Sequence, residues 1–129
     1  MNMIEFKCIS DTKYKHIPNK YPELLLEEND FRIIINGKLF FHDTYFPVLE
    51  FLFYAKKWTK MNSASFEYNS VETEENPLIS FICKNEKYNI HSPWQLFESH
   101  ELFTKQQLVF ALQNLEKSII DSNFATQNH

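Results

Sequence analysis

The chain has 129 residues, enough for one hydrophobic core, and its 43% hydrophobic and 23% charged content excludes a disordered protein. Its one glycine, Gly37, excludes a P-loop and a dinucleotide fingerprint, which need several glycines for close backbone approach to phosphate. A net charge of −4 with a single arginine, Arg32, argues against a nucleic-acid binder, because that chemistry draws on clustered basic side chains.

From the N-terminus, Ile4, Phe6 and Cys8 alternate with Glu5 and Lys7, the pattern of a half-buried strand. Residues 11–20 read as a polar, basic loop. Tyr21 to Asn29 stays open between a short helix after Pro22 and a strand. Asn36-Gly37 between two apolar runs is a strong hairpin signal, since a type I′ turn requires positive φ at both central residues. A two-residue loop sets the register: Ile35 faces Lys38, Ile34 faces Leu39, Ile33 faces Phe40, Arg32 faces Phe41 and Phe31 faces His42. Both faces of this hairpin, residues 31–42, are apolar, which predicts a mid-sheet position. Thirteen phenylalanines predict a core of rings packed edge to face.

Asp43 and Thr44 offer N-cap oxygens, and Pro47 suits the first turn of a helix over 47–60. Val48, Phe51, Leu52, Tyr54, Ala55 and Trp58 share one arc of about 160°, with Glu50, Lys56, Lys57 and Lys60 opposite. Leu49 and Phe53 fall outside that stripe and either pack under a neighbouring loop or form an exposed patch. An antiparallel meander follows over 63–91: Ala64, Phe66 and Tyr68 alternate with polar residues, Leu78 to Lys84 is apolar, and Asn85-Glu86 turns into Lys87–His91. Ser92-Pro93-Trp94-Gln95 predicts a short helical turn reaching about Glu98. Thr104 and Gln107 form a capping box for a helix at 105–121, with Leu108, Ala111, Leu112, Leu115 and Ile119 as its apolar stripe. A polar tail begins at residue 122. The expected fold is α+β, a single domain over 1–129, with an antiparallel sheet of about five to six strands packed by the two helices.

No two of the histidines His16, His42, His91, His100 and His129 have metal-ligand spacing, and neither Cys8 nor Cys83 sits at zinc-ligand distance from one. No metal and no cofactor are expected, and the two cysteines read as free thiols rather than a disulfide. His42-Asp43 and His91-Ser92 resemble base–carboxylate and nucleophile–base pairs, but Asp43 and Ser92 have a plainer use as helix caps. No catalytic residue is expected. The first residues, MNMIEFKCISDTK, lack the features of a signal peptide, and no apolar run is long enough to span a membrane, so the expected location is the cytoplasm. Acidic clustering is the more informative feature. Glu23, Glu27, Glu28 and Asp30 occupy one stretch, and Glu67, Glu72, Glu74 and Glu75 another, neither with a basic residue. Together they hold eight of the seventeen acidic residues, so the rest of the chain is positive on balance. Such segments either keep a protein soluble or dock a basic partner.

The strings FRIIINGKLFF (31–41) and FPVLEF (46–51), with Lys57-Trp58, resemble a family of small bacterial proteins. That family includes immunity proteins of toxin–immunity and contact-dependent inhibition systems. Glu75-Asn76-Pro77, the IHSPW run at 90–94 and the capped C-terminal helix fit the same outline, so the resemblance covers roughly residues 21–120. It implies a cytoplasmic immunity protein that binds a cognate, basic toxin domain and occludes its active-site surface, with a nuclease among the candidate toxins. It carries over no catalytic residue, and Glu50 is the one polar position it marks for attention. Two other readings stand beside it. One is a small-molecule binder or enzyme with a pocket near His42, His91 and Trp94; the other is a homo-oligomer, a homodimer in the simplest case, with Leu49 and Phe53 at its interface.

Overall fold

Asn36 and Gly37 adopt φ of 50° and 80°, and the hairpin they close begins in the expected register, Ile35 opposite Lys38 and Ile34 opposite Leu39. The computed structural model describes residues 2–9, 27–62, 64–70 and 73–120. The loop expected at 11–20, most of the open stretch at 21–29 and the tail from 122 lie outside those residues. Strands β1 (Ile4–Ile9), β2 (Asn29–Ile35) and β3 (Lys38–Phe46) form one antiparallel sheet in the order β1-β2-β3. Only β2 of the hairpin is therefore central, while β3 lies at an edge.

Beyond Leu39 the register departs from expectation, because Ile33 faces Phe41 and not Phe40. Strict alternation would send one of two successive phenylalanines to solvent. A bulge at Phe40 removes that conflict, and both rings are fully buried. Phe40 packs edge-on against Phe97, and Phe41 stacks on Trp94.

Helix α1 (Val48–Thr59) starts later than its expected cap. Pairing of β2 with β3 continues to Asn29–Phe46, so Asp43 belongs to the ladder, and its carboxylate accepts from the Tyr45 N–H. Pro47 takes the N-cap position with no side-chain cap. The one-sided stripe is also corrected. Leu49, Glu50 and Phe53 are buried along with the stripe, whereas Tyr54 is exposed. Leu49 and Phe53 thus belong to the core and cannot supply an oligomer interface.

Strands β4 (Phe66–Tyr68), β5 (Ile79–Lys84) and β6 (Lys87–His91) form the expected meander, and β7 (Phe103–Thr104) extends it to a four-stranded sheet. The helical turn expected after Ser92 does not propagate. The Ser92 hydroxyl accepts from the Trp94 N–H and Gln95 reaches back to Ser92, as a cap would. The Leu96 N–H then donates to the Phe40 carbonyl, which draws the segment onto the β3 edge. Helix α2 (Lys105–Ile119) carries the Thr104–Gln107 capping box, and its buried residues are the expected Leu108, Ala111, Leu112, Leu115 and Ile119.

Phe51 of α1 joins the two sheets. Its ring contacts Phe6, Phe31 and Phe46 from the first sheet and Phe66, Tyr68 and Phe81 from the second, mostly edge to face. Phe6 and Phe81 also stack directly across the junction at 5.9 Å. The result is one α+β core made of two antiparallel sheets and two helices. None of the helices among the described residues is long and apolar enough to cross a membrane.

Candidate partner-binding surface

The acidic residues can be placed by following contacts outward from Phe46. Asn29, just after Glu27 and Glu28, is the register partner of Phe46 at the end of β3. The Phe46 ring meets Tyr68 at 5.6 Å. Two residues later, Ser70 exchanges hydrogen bonds with the Asn76 side chain, which fixes the turn carrying Glu74 and Glu75. Residues 27–28 thus run into the strand end paired with Phe46, and residues 74–75 sit in the turn that follows β4, whose Tyr68 packs on Phe46. Glu27, Glu28 and Glu74 make no ion pair among the described residues, and Glu75 accepts a hydrogen bond from the Trp94 indole. Tyr45, adjacent to Phe46, is 71% exposed. Trp94 thus meets one of these carboxylates and Tyr45 is exposed on β3; exposed aromatic and acidic side chains are both residue types found where proteins bind one another.

Two of the expected acids behave differently. Asp30 turns to the outer face of the first sheet, where its carboxylate bonds Arg32 Nε at 3.2 Å and His42 Nε2 at 3.0 Å. The His42 bond, opposed by partial burial and assisted by Arg32, holds the Asp30 carboxyl below the usual carboxylate range. Its charge is already matched within the chain. Glu67 lies beside α1 in a shallow groove of about 340 Å³ that also holds Lys57. Glu23 and Glu72 lie outside the described residues.

His42 takes Asp30 as its carboxylate partner, not the neighbouring Asp43. His91 lines a cavity of about 250 Å³ with Asn89, Gln95, Ser99 and His100, but neither His42 nor Trp94 reaches it. The three residues of the small-molecule reading do not share one site. Cys8 and Cys83 are half-buried, lie on different sheets and form no disulfide with each other. Among the described residues no group of His, Cys, Asp and Glu could hold a metal ion.

Glu50 is 2% exposed at the first turn of α1, and the Tyr68 hydroxyl donates to its Oε1 at 2.6 Å. A helix N-terminus favours a carboxylate, and the phenol supplies a charge-assisted bond. This pair anchors β4, and with it the acidic turn, to α1. Sequence reading passed over Tyr45. Its signal was present in the strand alternation that buries Phe46 and exposes its neighbour.

The chain belongs to the family described as "Domain of unknown function (DUF7878)", whose model matches residues 4–122. No curated protein and no solved structure matches it.

Proposed function

We propose that this protein is a cytoplasmic immunity protein that binds a cognate bacterial toxin domain and covers its basic active-site surface. The observation that supports the reading is that Glu27, Glu28 and Glu74 make no ion pair among the described residues, while Glu75 meets the Trp94 indole and Tyr45 is exposed. Unpaired carboxylates accelerate encounter with a basic cleft, and the aromatic side chains supply the buried contact area that slows dissociation. A nuclease has such a cleft, because it must hold a polyanion. Inhibition here is occlusion, and it requires no chemistry, cofactor or metal from the inhibitor.

The test is co-expression with the product of the adjacent upstream gene. The wild-type chain is expected to protect cells and to co-purify with that product. Replacing Glu27, Glu28, Glu74 and Glu75 together by lysine is expected to abolish protection while leaving the circular dichroism spectrum unchanged. A wild-type chain that neither protects nor co-purifies overturns the reading.

A further inference from the structure

The geometry points to a binding site for a small oxyanion, a phosphate or carboxylate group, between the β5–β6 hairpin and the segment that follows it. The cavity of about 250 Å³ lined by His91 has Lys84 and Asn89 on its sheet side and residues 98–100 and Leu102 as its other wall. Asn89 and His91 alternate with the buried Ile90, so their side chains leave the same face of β6. Lys84 is the register partner of Lys87, two residues before Asn89, and joins that face from β5. The Asn89 amide donates to the Ser99 carbonyl at 2.7 Å and to the Glu101 carbonyl at 3.3 Å. These bonds hold the far wall against the sheet, so the cavity is formed before any ligand arrives.

Several hydrogen-bond donors on this cavity have no acceptor in the chain. Ser99 is 6% exposed. Its hydroxyl oxygen accepts from the Glu101 N–H, and its own proton meets no acceptor among the described residues. Gln95 uses its Oε1 to accept from the Ser92 N–H, which leaves its Nε2 without a partner among the described residues. Lys84 and His91 take part in no ion pair among the described residues. A neutral imidazole carries one N–H and a charged one carries two, so His91 can donate in either state. A buried donor left unmatched costs free energy that an oxygen of a ligand recovers.

Charge sets the sign of the ligand. Lys84 and Lys87 stand directly opposite each other across β5 and β6, and neither has a carboxylate partner among the described residues. Like charges so placed repel, and an anion beside Lys84 relieves that repulsion. Glu98 is the one acid on the cavity wall, and its carboxylate lies 3.9 Å from His100 Nε2. Among the described residues no group of His, Cys, Asp and Glu could hold a metal ion, so these donors address an oxyanion. The volume suits a ligand below drug size, such as inorganic phosphate or a short carboxylate. None of Lys84, His91, Gln95 and Ser99 belongs to the proposed toxin-binding set, so the proposal does not rest on the immunity reading.

The test is amide NMR on the isotope-labelled full chain, with inorganic phosphate and acetate added separately at constant ionic strength. The amide signals of residues 89–91 and 98–102 are expected to move and to saturate with at least one probe, at roughly millimolar concentration or below. Phosphate saturating alone marks a phosphate site, acetate alone a carboxylate site, and both together a site for either oxyanion. Lys84→Met and Ser99→Ala each remove one donor to a charged ligand and are expected to weaken binding by about tenfold. Lys38→Met removes an exposed lysine at the turn of the other hairpin and is expected to leave binding unchanged. Far-ultraviolet circular dichroism checks that each variant is folded, and Lys84→Met, at an exposed position, decides the matter if Ser99→Ala is not. Failure of both probes to saturate overturns the proposal, and so does binding that Lys84→Met leaves intact or that Lys38→Met weakens equally.

Discussion

At the scale of single residues, Glu50 and Asp30 are two carboxylates with opposite surroundings. Glu50 is buried at the head of α1 and held by the Tyr68 hydroxyl, in a place where helical periodicity alone assigns it to solvent. Tyr68→Phe keeps the ring and removes one bond to a buried carboxylate. It is expected to cost about 1–3 kcal/mol, measured as a lower urea midpoint with an unchanged slope. Asp30 is held ionised by His42 and Arg32. Its folded pKa lies below its unfolded value, so its ionised form adds stability above about pH 4, and that stability is lost as pH falls through the folded pKa. Asp30→Asn is therefore expected to lower stability at pH 7, with the deficit shrinking as the solution is taken below about pH 4. Urea melts of both proteins at neutral and acid pH check the sign.

Elements were legible where local chemistry decides them. The Thr104–Gln107 capping box and the α2 stripe appear as expected, because a cap and a 3.6-residue period are properties of a few neighbouring residues. The Asn36-Gly37 turn is of the same kind. The β5–β6 hairpin uses a less suitable pair, with Asn85 at φ 53° and Glu86 at φ 69°. A left-handed backbone at an exposed glutamate carries strain that glycine relieves. Glu86→Gly is expected to raise stability by about 0.5–1 kcal/mol, seen as a higher urea midpoint. The elements that departed from expectation did so through pairing with distant strands. β3 ran past its expected helix cap because Asn29 pairs with Phe46, and the Ser92 turn stopped because Phe40 captures the Leu96 N–H.

For the whole molecule, the junction of the two sheets at Phe51 is the decisive contact, since its ring touches six others drawn from both. Phe51→Ala is expected to cost about 3–5 kcal/mol, enough to consume much of a small domain's stability and to unfold both sheets in one transition. Coincident loss of near- and far-ultraviolet circular dichroism on heating checks that both sheets melt together. By itself the amino-acid sequence determined the α+β class, the hairpin, the meander and the two helices, because turn residues, caps and apolar periods act over short distances. It also identified the acidic segments without saying where they go. Tertiary structure alone decided that the strands divide into two sheets, that Phe40 and Phe41 are both buried through a bulge, and that Glu50 is internal. It alone matched Asp30 with His42 and Arg32 and set Glu75 against the Trp94 indole. These outcomes depend on which distant side chains compete for the same space and the same hydrogen-bonding partners, and no local pattern along the chain encodes that competition.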